Sequence, residues 1–317
     1  MRSSLLFVLT ALSAACSPAP ELDIQHLSTL EARTRGVVLM DDGQSGFGAM
    51  SGTTCSFDTL NGWVIDDFDL PSSEERVTDV FRGRVLGTSP DGVYQVREVE
   101  QVASVNARDA RFMGDGFAFV VGSGDDCAVQ FDDGRAHSVP AAACDAGANS
   151  VTVARDVGAV VLAAGESTVV VDADGARELA DAADFAVYDR RTELVYLAMA
   201  GGSEVRAVDL DGRLIWSTDV GGRITAMQQM GRRGKVVVMV DFGDHAGMVV
   251  VNGHDGAPES EAQAPTSDVE LSVSDDGTTL AVTLEGQVFF YDVVAEGEEP
   301  KQRDTLGAEE QAQEFSD

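Results

Sequence analysis

The sequence predicts an all-β chain folded as a β-propeller of about seven four-stranded blades. Three observations predict it. First, an apolar residue followed by a polar one recurs at strand ends as Phe131-Asp132, Val171-Asp172, Val208-Asp209, Val251-Asn252 and Tyr291-Asp292, in steps of 40, 37, 43 and 40 residues. Second, each pair closes a β-branched or aromatic run, at 127–131, 167–171, 204–208, 248–251 and 286–291. Third, turn chemistry follows most pairs, as Asp132-Asp133-Gly134, Asp174-Gly175, Asp211-Gly212 and Asp255-Gly256, where glycine adopts the positive φ of a tight hairpin without steric cost. Another apolar run precedes each pair, at 117–121, 159–163, 194–199, 236–240 and 280–282, and weaker runs precede some of those, at 151–153, 185–188 and 269–273. With the strand after the turn this makes four strands per ~40 residues, the period of a propeller blade. A two-sheet sandwich, the alternative fold, predicts no such steady step.

Taken in chain order, the first element is an export signal. Met1-Arg2 carries one positive charge, and 5–15 is an uncharged, mostly apolar run of 11 residues. That is too short for a bilayer core, which needs ~20 helical residues, and it matches a secretory apolar region. Small residues then lead into a cysteine, Ser13-Ala14-Ala15-Cys16, with Leu12 before them. The run resembles the bacterial lipobox, which implies a signal peptide 1–15 and a lipid on Cys16 as the first mature residue. The alternative is ordinary cleavage near Ala15, leaving a thiol. Ser17 after the cysteine is the kind of residue that accompanies the outer membrane. Residues 16–24 read as the lipidated cysteine and a tether, with Pro18 and Pro20 keeping it extended.

The propeller is expected over 25–305. Phe57-Asp58-Thr59-Leu60-Asn61-Gly62-Trp63 repeats the strand-end and turn pattern, and Asp58 lies two repeats before Asp132, so a degenerate blade is expected at about 75–104, around 93–96. Residues 25–305 hold seven blades at this period, with six or eight as alternatives if the first and last blades share strands. One local conflict is 175–183, whose Ala, Glu and Leu content suits a helix. Residues 306–317 read as an acidic disordered tail.

The best-formed repeat is Val205-Arg206-Ala207-Val208-Asp209-Leu210-Asp211-Gly212-Arg213-Leu214-Ile215-Trp216. It resembles the pyrroloquinoline-quinone-type repeat (of the broader YVTN and tryptophan-aspartate-like propeller group), slightly shortened between Asp209 and Gly212. The resemblance covers one blade. It implies a propeller in which Trp216 packs between neighbouring blades; it does not imply the quinone, because the adjacent-cysteine pair of those enzymes is absent. The same architecture serves in an outer-membrane lipoprotein scaffold for barrel assembly, an analogy of fold alone.

Candidate chemistry is sparse. Once Cys16 is assigned to lipid, Cys55, Cys127 and Cys144 remain, and an oxidising envelope permits one bridge among them. Cys127 to Cys144 is the leading pair, although strict hairpin register sets Cys127 opposite Pro140; Cys55 with either partner is the alternative. His26, His137, His245 and His254 are scattered singly, without the close spacing of a transition-metal site. Asp172-Ala173-Asp174-Gly175 and Asp209-Leu210-Asp211-Gly212 resemble fragments of calcium loops but lack the further ligands, so no cofactor is expected, with Ca2+ the weak alternative. Asp241-Phe242-Gly243-Asp244-His245 is a loop whose carboxylates are candidates to face the axial channel. No nucleophile elbow, phosphate loop or dinucleotide fingerprint is present.

Charge bounds the partners. With 22 Lys+Arg against 54 Asp+Glu the net charge is −32, which excludes nucleic-acid phosphate as a partner and disfavours unassisted adsorption to anionic lipid. Only Lys235 and Lys301 are lysines, a bias that a GC-rich genome or adaptation to salt would both produce. The reading is therefore a monomeric, envelope-anchored propeller lipoprotein, exported to the outer membrane, acting as a non-catalytic scaffold for envelope proteins. The alternative is a lactonase- or hydrolase-type propeller enzyme using channel carboxylates and a divalent cation.

Overall fold

The computed structural model describes residues 22–30, 34–50, 53–68, 76–145, 150–163, 166–264, 266–295 and 298–301. The signal segment 1–15, Cys16, most of the tether and the tail 306–317 lie outside the described residues. What is described is a seven-bladed β-propeller, each blade a four-stranded antiparallel sheet. Blades 1 to 6 span 34–68, 76–103, 107–138, 151–181, 183–219 and 223–264, and within each the strands pair in chain order. Blade 7 is composite: Glu270–Val273, Thr279–Leu284 and Gln287–Ala295 supply three strands, and Leu22–Leu30 adds the fourth by pairing with Gln287–Ala295 from Leu22↔Ala295 to Leu30↔Val288. The ring is thus closed by the two ends of the described chain.

The pairs at 57–58, 131–132, 171–172, 208–209 and 251–252 fall at the end of the third strand of blades 1, 3, 4, 5 and 6, and in most of them the polar member has a common task; Tyr291-Asp292 lies inside the third strand of blade 7, Gln287–Ala295. Asp209 Oδ1 accepts the backbone N–H of Asp211 at 3.1 Å and of Arg213 at 2.9 Å. Asp172 does the same for Asp174 at 2.9 Å, Asn252 for His254 at 2.9 Å and Asp58 for Asn61 at 2.7 Å. The role is that of an acceptor, so Asn252 serves as well as aspartate. Blade 3 shifts it by one residue, to Asp133 and the Arg135 N–H at 3.0 Å. The degenerate blade is present as Arg76–Phe81, Arg84–Ser89, Gly92–Gln95 and Glu100–Ala103.

The helical content of 175–183 does not form a helix. Gly175–Asp181 is the outer strand of blade 4, paired with Ser167–Asp172 from Asp172↔Gly175 to Ser167↔Asp181. A ready edge of unsatisfied backbone groups outweighs a modest helix propensity. Cys127 and Cys144 are joined, with 5.7 Å between their Cα atoms. The chain bends back after the Val139 N–H meets the Cys127 carbonyl at 3.0 Å, and the short helix Ala142–Asp145 delivers Cys144. Cys55 is a buried free thiol in blade 1.

Trp216 lies between blades 5 and 6. Its indole N–H donates to the Gly253 carbonyl at 3.0 Å, and its ring stacks on Tyr196 at 5.7 Å between centroids. Tyr196 Oη donates to the same carbonyl at 3.1 Å. Gly256 makes room: with φ at 76°, a Cβ there would come 2.5 Å from Trp216 Cε3. Trp216→Ala is expected to cost ~3–5 kcal/mol. Trp216→Phe, which keeps a ring and loses the N–H, is expected to cost ~1 kcal/mol. Urea unfolding of both variants checks the ranking, and equal losses would contradict a packing role for the ring.

Candidate functional site

The first strand of every blade faces the axis: Thr34–Leu39, Arg76–Phe81, Ala107–Met113, Val151–Ala154, Ala183–Asp189, Arg223–Gln229 and Glu270–Val273 all contribute to the lining of one cavity of about 510 Å³. Four of its charged side chains form two pairs, while Asp41, Arg76, Glu270 and Asp275 also line it. Arg155 of blade 4 reaches across blade 3 to Asp79 of blade 2, with Nη2 at 2.6 and 2.7 Å from the two carboxylate oxygens. Its Nε donates to the Phe112 carbonyl at 3.0 Å, and its guanidinium lies over the Phe81 ring at 4.7 Å. Asp79 also accepts the Phe112 N–H at 2.8 Å. Arg111 and Asp109 form a second pair, Nη2 to Oδ2 at 2.9 Å and Nε to Oδ1 at 2.8 Å. Burial raises the Asp109 carboxyl pKa against the pull of Arg111.

Asp41 and Asp275 stand at one end of this channel. The Asp41 carboxyl is held above its ordinary range, first by burial and then by the charge of Asp275, while Arg155 and the Arg82 backbone N–H pull the other way. Among the described residues no group of three or more His, Cys, Asp or Glu converges as a metal site. Asp241 to His245 do not line the channel; His245 stacks on Phe242 at 4.7 Å and meets Asp244 at 2.6 Å in an outer loop of blade 6. His26 packs edge-on against Tyr291 and His137 against Phe131, in different blades.

Because the strands alternate in direction, the propeller has two distinct faces. One carries the hairpins from first to second and from third to fourth strand; it is called the turn face here. The other carries the second-to-third loops and the blade-to-blade crossings. The two differ in chemistry. The large hydrophobic side chains that stand exposed among the described residues are Val64, Ile65, Val99, Val157, Leu214 and Ile215, at 44–57%. Each sits in a turn-face hairpin or within the first three residues of the strand leaving one. Most cations of the described chain also belong to that face, among them Arg82, Arg84, Arg97, Arg155, Arg191 and Arg233. Acids stand on both faces, at turn-face hairpins such as Asp133, Asp174 and Asp211 and on the crossing face at Asp125, Asp126, Glu166, Asp219, Asp244 and Asp268, where few cations offset them. The sequence pattern located the hairpins; it did not reveal that apolar exposure is confined to their side.

No protein-family model matches the chain, and no curated protein sequence does. Solved structures share its fold. The β-propeller domain of Cps50 (Swd1) from Myceliophteria thermophila superposes with a TM-score of 0.64 at 8% identity, over 86% of this chain and 100% of that one. A chain of the mitotic checkpoint complex gives 0.64 at 12% identity, over 92% and 99%. The computationally designed Ika8 protein gives 0.57 at 14% identity, over 85% and 100%. At these identities the likeness is one of fold.

The Asp41 geometry makes a pH prediction. A carboxyl with a raised folded pKa binds its proton more tightly folded than unfolded, so its contribution to stability falls as pH rises through the window above the unfolded value. Asp41→Asn is therefore expected to raise the urea midpoint at pH 7, with the gain shrinking toward pH 4. A variant less stable than the parent at pH 7 would contradict this.

Proposed function

We propose that the chain is an exported, lipid-anchored propeller that serves as a binding platform for other proteins and does no chemistry of its own. The observation that carries the non-catalytic reading is the channel, where Arg155–Asp79 and Arg111–Asp109 are paired off and Arg155 ties blades 2, 3 and 4 together. Charges spent on one another in this way stiffen a ring; they are not free for substrate. The fold itself supports a platform, since a propeller offers two broad, rigid faces, and one structural neighbour is part of a multi-protein complex. The seat of Trp216 between blades 5 and 6 is what a pyrroloquinoline-quinone-like repeat would require, and it supports that kinship without its cofactor.

The anchor rests on the signal-like segment 1–15 and on Cys16. A triacylated cysteine would hold firmly, each buried methylene contributing ~0.8 kcal/mol. The test is the mass of the mature N-terminal peptide. A peptide that begins at Cys16 and carries added acyl mass is the expected result, and Cys16→Ser should release the protein from membranes. An unmodified Cys16 thiol in the mature protein would overturn the anchor.

A further inference from the structure

We infer that the turn face lies against the phospholipid surface, with the cation-poor crossing face turned away from it toward protein partners. This rests on the proposed anchor at Cys16. The first reason is where the chain enters the ring. Leu22 pairs with Ala295, the turn-face end of the strand Gln287–Ala295, whereas Leu30 pairs with Val288 at the other end. The six residue steps from Cys16 to Leu22 reach at most ~20 Å. A lipid on Cys16 therefore holds the membrane beside the turn face, at the rim of blade 7.

The second reason is the distribution of apolar exposure. Val64 and Ile65 on blade 1, Val99 on blade 2, Val157 on blade 4 and Leu214 and Ile215 on blade 5 spread around this face and none lies on the other. Single exposed aliphatics are commonplace; their confinement to the side where the anchor emerges is not. Val99 adds to the case. It is a β-branched residue at φ 51°, a left-handed conformation that disfavours such side chains, and that strained turn presents it outward. Arg82, at φ 51° in the neighbouring hairpin of the same blade, is exposed as well.

The third reason is electrostatic. The turn face has acids of its own, but its arginines offset them in part, while the crossing face has few cations to do so. Arg82, Arg84 and Arg97 stack on Phe81, Phe112 and Phe47 at 5.0, 4.5 and 5.6 Å, and among the described residues none of the three makes an ion pair within 4.0 Å. Beside phosphate headgroups the cation-poor crossing face is the more strongly repelled of the two. Shallow apolar side chains ringed by arginine suit the headgroup boundary.

The experiment attaches the lipid chemically, so its outcome does not depend on whether a cell lipidates Cys16. A form beginning at Cys16, its disulfide intact and Cys55 buried, is coupled through the Cys16 thiol to a maleimide lipid. The lipid is carried in phosphatidylcholine vesicles with about one-fifth phosphatidylglycerol. Hydrogen exchange is then compared with that of the uncoupled protein. The expected result is that amides of turn-face segments around 61–65, 97–100, 155–158 and 211–215 slow by about fivefold or more, while crossing-face loops around 122–126 and 241–246 do not change. The double variant Ile65→Glu/Leu214→Glu, at exposed positions, should lose the effect near both sites and keep its urea midpoint. Protection on the crossing face, on both faces alike, or on neither would overturn the inference. Absence of protection on vesicles, with the turn face instead protected by a bound protein, would reassign that face to a protein partner.

Discussion

Closure of the ring by the strand Leu22–Leu30 is the constraint on which the rest of the structure depends. Six blades are built from contiguous chain, but the seventh has only three strands until the N-terminal segment returns to complete it. The pairing runs nearly the whole length of both partners, with a single irregularity between His26 and Ser28. It buries Leu22, Ile24, Leu27 and Leu30, each contributing ~1.5–3 kcal/mol relative to exposure. It also covers the strand edge that blade 7 would otherwise present to solvent and to other chains. Blade 1 packs on the inner strands of blade 7: Thr279 Oγ1 donates to the Gly43 carbonyl at 3.0 Å, and Leu39 N–H meets Ser272 Oγ at 3.2 Å.

A closed ring in turn fixes the channel. Seven inner strands converge on one axis, and polar groups that cannot all reach water are satisfied across blades. Arg155 is the clearest case, because its guanidinium serves an aspartate two blades away, a carbonyl on the blade between and an aromatic face. The same closure brings the chain's entry point to the turn face, so one strand decides both that the ring holds and which side stands nearest Cys16.

Much of this was legible in the sequence, and the limits have physical causes. The 40-residue step was visible because one local task, an acceptor for turn N–H groups after the third strand, recurs at Asp58, Asp172, Asp209 and Asn252 with little help from the rest of the fold. The degenerate blade could be placed by spacing even though its own turns carry Arg82 and Val99 where glycine or asparagine is usual. The strand at Gly175–Asp181 carries a helix-like composition because an outer strand needs few apolar residues and takes its conformation from its neighbour. The channel pair Asp79–Arg155 was invisible: the two are 76 residues apart, and nothing in either local pattern marks the partner. Nor could composition tell the two faces apart, since exposure is a property of the assembled ring.

The measurement that tests closure most directly is native-state hydrogen exchange on the intact protein across a denaturant series. If the N-terminal strand locks the ring, amides of Leu22–Leu30 and Gln287–Ala295 will exchange with the same opening free energy as the central strand Lys235–Asp241, and all will merge into one global unfolding event. If Leu22–Leu30 instead exchanges by local fraying, at free energies several kcal/mol below Lys235–Asp241, while the other blades remain protected, the ring holds without its N-terminal strand and closure is not the governing constraint.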